Sequence, residues 1–287
     1  MDPQVLVHTI TMGLIEGCMY SLFAIGFNLA FGVMRVVNVA HGQLFMLGCY
    51  AAYWLTLLYG FDPYFTLLFI IPLFFTLGVL LQKTFISKVI YSPMEVSLLV
   101  CFALSLVLEN TALILWSGDF RLTRAGAYDK LISIGPINVA LPRIIAVSVS
   151  ISMFVFMMLL LNYTNFGRAI RAVMQDITGA KLVGIPINLV YLVSFGISIS
   201  LAGASGGIMS LIYPFNPFIG YTFMLKAFCI SVLGGFGRIE GSIVGGLILG
   251  VSESIVALCI SGLLKDAVAF ILMILILLLK PSGIFGR

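Results

Sequence analysis

The sequence predicts an all-α fold, a polytopic transmembrane helical bundle, on the strength of its composition, its long apolar runs and the placement of its charges. Of 287 residues, 61% are hydrophobic and 9% charged, with a mean hydropathy of +1.18; soluble domains have roughly 45–50% apolar and about 25% charged residues. The apolar residues form continuous runs such as Leu98 to Trp116 and Phe270 to Leu279, not the period-2 alternation of a barrel strand. Since lipid tolerates only helices and closed barrels, continuous runs mean helices. The net charge of +4 is spread between these runs, where it serves orientation and not nucleic-acid binding.

At about 17–25 residues per span, spans fall near 5–31, 39–59, 64–82, 95–116, 142–161, 189–212, 220–236, 241–260 and 264–280. These make one transmembrane domain over 1–287, with eight to ten spans as the range. The seventh is short and glycine-ended and reads as broken or re-entrant. Val33 to Asn38 is only weakly polar, which blurs the first boundary. Cys18, Cys49, Cys101, Cys229 and Cys259 all lie in apolar runs without a C-x-x-C pair, as core residues do. The first residues show neither a basic region nor a small-residue cleavage site, so no removable signal peptide is expected.

Placing the C-terminus in the cytoplasm puts Arg35, Lys83, Lys88, Arg168, Arg171, Lys181, Arg238, Lys280 and Arg287 inside. Arg121, Arg124, Lys130, Arg143 and Lys265 fall outside, a bias that favours this orientation. Two connections are longer than turns. The outer one, Ser117 to Leu141, carries mixed charges and the pair Gly135–Pro136. The inner one, residues 162–188, has helix-forming composition from Ala169 to Val183, with Asp176 and Ala180 on one face. Pro186 ends this helix, and Gly184 supplies a positive φ for its end. Such a helix is a peg for another protein or lies along the membrane surface.

Glu16, Glu109, Glu253, Lys226, Asn28 and Asn110 fall within spans, where a charge costs on the order of 2.5–3.5 kcal/mol. Glu16 has Gly13 and Gly17 beside it and Glu253 follows Gly246 and Gly250, so helix packing is expected there ahead of a solute pathway. Lys226 is expected to snorkel to the outer interface. From Leu233 to Gly250 the chain holds seven glycines. Gly234, Gly235 and Gly237 should break a helix, as at a cavity-lining segment, and Gly241, Gly245, Gly246 and Gly250 suit close packing. His41 has no second ligand at metal spacing, so no metal is expected. No H-E-x-x-H pair or P-loop occurs, so no catalytic residues are assigned and the chain alone is not expected to be an enzyme.

The run Asn38-Val39-Ala40-His41-Gly42-Gln43-Leu44-Phe45-Met46-Leu47-Gly48 resembles the N-[FLM]-A-H-G-[ED]-x-x-M-x-G signature of LivH-type permeases, of the branched-chain amino acid ABC transporter family. Gly167, Arg168, Ala169, Arg171, Ala172, Asp176, Ala180, Gly184 and Ile185 are similar to that family's inner-loop pattern. Leu233 to Gly250 and the tail Lys280 to Arg287 also look like family patterns, so four motifs stand in order from about Gly13 to the end. Gln43, where the family has Glu or Asp, and Glu240, where Pro is common, depart from it.

The resemblance implies an ABC importer permease fold. It implies a heterodimer with a LivM-like permease, two cytoplasmic ATPases that carry ATP and Mg, and an extracytoplasmic binding protein. The chain itself would hold no cofactor and would sit in the inner membrane. The inner loop then looks like the ATPase-coupling helix. Asn38, His41, Gly42, Gln43, Glu109, Gly234, Gly235 and Gly237 are candidates for pathway or packing. The implied solutes are branched-chain or other neutral amino acids, or urea, short amides and some aromatic acids. The rival reading is an ion-gradient-driven secondary transporter working through Glu109 and Glu253.

Overall fold

The computed structural model describes residues 3–123, 130–134 and 137–285. Each expected span is helical: α1 (Pro3–Met34), α2 (His41–Tyr59), α3 (Thr66–Leu81), α5 (Met94–Trp116), α6 (Leu141–Tyr163), α9 (Ile187–Met209), α10 (Ile219–Gly234), α11 (Ile239–Cys259) and α12 (Lys265–Leu279). A π-helical stretch, Gln82–Ile86, carries α3 into the short α4 (Ser87–Val89). The 162–188 connection holds α7 (Asn165–Gln175) and α8 (Ile177–Leu182). Six stretches among the described residues are long and apolar enough to cross a membrane, fewer than the eight to ten spans expected, and α2, α10 and α12 are not among them. The shorter α10 and α12, of 16 and 15 residues, reach only about 22–24 Å at 1.5 Å per residue, short of a core about 30 Å thick.

One addition breaks the all-helical pattern. Strands β1 (Leu131–Ile134) and β2 (Ile137–Ala140) pair antiparallel in the connection between α5 and α6, with Leu131 opposite Ala140. Gly135 and Pro136, the Gly-Pro pair of this connection, lie outside the described residues, as do Arg124, Gly286 and Arg287 of the charge pattern and tail.

The core is built around α1, buried on every side from Met19 to Ala30. A helix apolar all round belongs at the centre of a bundle. Its glycines decide what it touches. A Cβ at Gly17 would stand 2.7 Å from the Gly246 carbonyl oxygen, and one at Gly250 would stand 2.4 Å from that of Gly13. The small residues flanking Glu16 and preceding Glu253 therefore form the α1–α11 crossing, the packing expected from their spacing. Gly250→Val is expected to push these helices apart at a cost of about 1–3 kcal/mol or more. The check is loss of the monodisperse folded species on gel filtration in detergent. A second crossing joins α2 to α9, where Cβ atoms at Gly48 and Gly206 would strike the carbonyl oxygens of Gly203 and Phe45.

The helices at the periphery look different. On α5, Leu99, Val107 and Ile114 are exposed, and on α6 Val155, Phe156 and Leu159. Apolar surface of this extent fits lipid or a partner subunit, not water.

The blurred boundary after α1 has a physical cause. His41 Nε2 lies 3.3 Å from the carbonyl oxygen of Phe23, eleven residues before the end of α1. The connection thus doubles back along α1 by roughly 16 Å, and α2 begins inside the bundle. Val36, Val37, Asn38 and Ala40 are buried on the way. Irregular backbone is tolerated at membrane depth when protein surrounds it, so no polar loop marks the turn in the sequence.

Candidate functional site: an exposed tip and a buried polar seam

The 162–188 connection folds into two helices, not the single helix expected from Ala169 to Val183. Thr164 caps α7 by accepting from the Gly167 amide at 2.9 Å. Gly167 itself has no room for a side chain, because a Cβ would meet the Leu160 and Leu161 carbonyl oxygens. Arg168 is exposed and donates to Asn165. Arg171 Nη1 donates to the Leu161 carbonyl and to Asn162 Oδ1, tying α7 to the end of α6. Gly167, Ile170 and Val173 are the buried side of α7.

The break falls at Asp176, whose backbone is extended (φ −151°, ψ 111°). Its Oδ1 accepts from the Thr178 amide at 2.9 Å and caps α8. An aspartate that competes for nearby backbone amides favours such a cap over a helix interior. Ala180 is the buried residue of α8. The Ile185 amide donates to Ala180 and the Gly184 amide to Lys181, with Gly184 at φ +82°. This is the Schellman arrangement, and it needs the left-handed conformation glycine adopts freely. The result is a fixed turn that holds Leu182 and Val183 outward, 84% and 76% exposed.

The Asn38 to Gly48 motif forms a second feature. His41 is fully buried and stacked on Phe23, ring centroids 4.8 Å apart. A Cβ on Gly42 would collide with the Gly220 carbonyl, so α2 and α10 touch backbone to backbone. Gln43 Nε2 donates to Glu109 Oε2 at 2.9 Å, across from α2 to α5. A carboxylate thus stands beside Gln43, supplied by α5. Glu109 is 7% exposed. It makes no ion pair among the described residues. Asn38 is buried in the irregular stretch that leads into α2.

The glycine turn between α10 and α11 lies elsewhere, at the end of the bundle that carries α7. Gly235 (φ +94°) and Gly237 (φ +74°) turn the chain, and the Gly237 amide donates to Asn28 Oδ1 at 3.0 Å. Asn28 in turn donates to Ser242 Oγ at 2.7 Å. The tail folds onto this turn: the Ile284 amide donates to the Leu233 carbonyl at 2.8 Å, with Gly283 against Gly235. The structure therefore joins Gln43 to Glu109, and keeps Gly234, Gly235 and Gly237 apart from them.

Sequence reasoning missed a charge network at the opposite end. Lys226 does not snorkel; it is 5% exposed and pairs with Glu253 at 2.7 Å and with Asp266 at 3.3 Å. Tyr20 donates to Glu253 at 3.0 Å. Lys265 pairs with Glu16 at 2.6 Å, and Arg143 lies 3.9 Å from the same carboxylate. Tyr213 also donates to Glu16, and burial together with that carboxylate pushes its phenol up, keeping it a donor. A partner within reach is worth more to Lys226 than an ammonium threaded to water, because the buried Glu253 would otherwise be unpaired. The available signal was the near-balance of acids and bases around the last spans.

A polytopic bundle packed on glycine crossings, with a buried polar seam and an exposed apolar tip on the 162–188 connection, has the architecture of a multi-pass membrane protein. A family model described as branched-chain amino acid transport system, permease component, matches residues 9–277, and the chain belongs to that family. It is 30% identical to the high-affinity branched-chain amino acid transport system permease protein LivH of Escherichia coli (strain K12), over 96% of this chain and 94% of that protein. Identity and coverage are the same for BraD, the corresponding permease protein of Pseudomonas aeruginosa. LivH of Methanocaldococcus jannaschii is 28% identical over 92% and 88% of the two chains. Among solved structures, PsaBC from Streptococcus pneumoniae in complex with Fab is similar in fold, with a TM-score of 0.50 at 11% identity over 97% and 94% of the chains. The chain is a multi-pass permease subunit of an ABC importer.

Proposed function

We propose that this chain pairs with a second, LivM-like permease to form the path for branched-chain or other neutral amino acids. An extracytoplasmic binding protein delivers the solute, and two cytoplasmic ATPases, which carry the ATP and Mg, drive the cycle. The coupling element is the turn from Lys181 to Ile185, and the observation that carries this reading is the outward pair Leu182 and Val183. Exposed apolar residues on a fixed polar-flanked turn suit a protein groove. The α7 end of the bundle, with the C-terminus, faces the cytoplasm. Arg35, Arg171 and Arg238 gather there around one cavity, in keeping with the positive-inside bias. ATP binding draws the ATPases together, the tips follow, and the bundle reorients.

The solute class follows from Glu109. A buried carboxylate without a cation disfavours an anionic solute and suits one that brings an ammonium. Glu109→Gln keeps a hydrogen-bonding partner for Gln43 and removes the charge. It is expected to lower uptake about tenfold, the order of one charged hydrogen bond, while the chain stays inserted.

The reading is tested in proteoliposomes holding both permeases and both ATPases, with labelled leucine and the binding protein outside. Uptake should require enclosed ATP and survive a protonophore. Uptake by this chain alone, abolished by the protonophore, would establish the secondary-transporter reading instead.

A further inference from the structure

We propose that the cavity at the α7 end of the bundle binds the phosphate group of an anionic ligand, supplied by a lipid headgroup. The cavity has a volume of about 710 Å³ and lies among the end of α1, the end of α6, α7 and the α10–α11 turn. Three arginines line it, each from a different element: Arg35 after α1, Arg171 on α7 and Arg238 before α11. The carboxylate of Glu240 is the one acid among its lining residues.

Like charges brought together from separate elements repel unless an anion lies between them. Arg35 and Arg238 make no side-chain hydrogen bond or ion pair among the described residues, and both are exposed. Arg171 uses Nη1 alone for Leu161 and Asn162, which leaves Nη2 and Nε as donors. Arg35 is also held at φ +54°, in the left-handed region that non-glycine residues seldom adopt. Guanidinium forks match phosphate oxygens in pairs.

The rest of the lining argues for lipid as the source. Phe31, Met158 and Phe236 give the cavity an apolar side. Its α6 wall belongs to a helix whose outward residues Val155, Phe156 and Leu159 are exposed, so an acyl chain can lie along α6 while the headgroup reaches the arginines. Basic pockets between helices on the cytoplasmic side take anionic headgroups in this manner. A bound headgroup would join α1, α7 and the α10–α11 turn.

The experiment is native mass spectrometry of the permease pair, purified in detergent and incubated with phosphatidylglycerol, phosphatidylcholine or inorganic phosphate. The expected result is retention of phosphatidylglycerol over phosphatidylcholine, reduced about tenfold in Arg35→Ala with Arg238→Ala and unchanged in Lys88→Ala. Arg238→Gln, a single change at an exposed side chain, carries the same test if the double variant does not fold. Retention of inorganic phosphate that displaces the lipid keeps the phosphate chemistry and assigns a soluble source. Equal retention of the two lipids, or retention indifferent to Arg35 and Arg238, overturns the proposal. So does loss of phosphatidylglycerol on adding the ATPases with cross-links from position 238 to an ATPase carboxylate, which would make the cavity a protein contact.

Discussion

Leu182→Asp combined with Val183→Asp should leave the permease inserted and folded, yet abolish binding-protein-stimulated ATP hydrolysis by the assembled importer. Both side chains are more than three-quarters exposed in this chain, and surface changes of that kind usually alter stability by no more than about 0.5 kcal/mol. In a docked groove each side chain would contribute roughly 1.5–3 kcal/mol through burial. Two charges in their place would weaken docking by about a hundredfold or more. The effect should appear as loss of co-purifying ATPases and of stimulated hydrolysis, with an unchanged thermal midpoint for the permease alone. Wild-type stimulation in the double variant would remove the tip from the coupling path.

The second large effect concerns the charge network. Lys226→Met leaves Glu253, 0% exposed, without its ion-pair partner at 2.7 Å. Breaking one side of a buried pair costs about 3–5 kcal/mol, because the remaining charge stays out of water. At roughly 2–4 °C per kcal/mol for chains of comparable size, the thermal midpoint in detergent should fall by about 10 °C. Adding Glu253→Gln to Lys226→Met should recover most of the loss, since the stranded charge is then gone. If Lys226→Met alone melts like wild type, Lys265, 3.8 Å from Glu253, already suffices as counter-ion.

Much of this architecture was legible from local signals. Apolar runs located every helix of the bundle, and glycine spacing around Glu16 and Glu253 pointed to close packing at each, though not to the two helices meeting one another. Gly184 followed by Pro186 marked a helix end, and the turn there has the expected positive φ. What escaped notice depends on partners distant in the chain. Lys226 and Glu253 sit on helices whose facing sides only the fold reveals. Gln43 looked like a lost charge until α5 brought Glu109 to 2.9 Å. The break at Asp176 is local, but a helix interior and a helix cap share the same composition over so short a stretch, and only the capping hydrogen bond to Thr178 decides between them. The buried return of the chain from Arg35 to Ala40 left no polar signature because protein, not water, surrounds it.

The central claim is that the Lys181 to Ile185 turn carries force between this chain and an ATPase. A photo-reactive amino acid at position 183, placed in the complete importer, tests it most directly. Irradiation should cross-link the permease to an ATPase subunit, with a yield that changes between nucleotide-free and ATP-bound states. Cross-links to lipid alone, with every subunit present and the importer active, would contradict the claim.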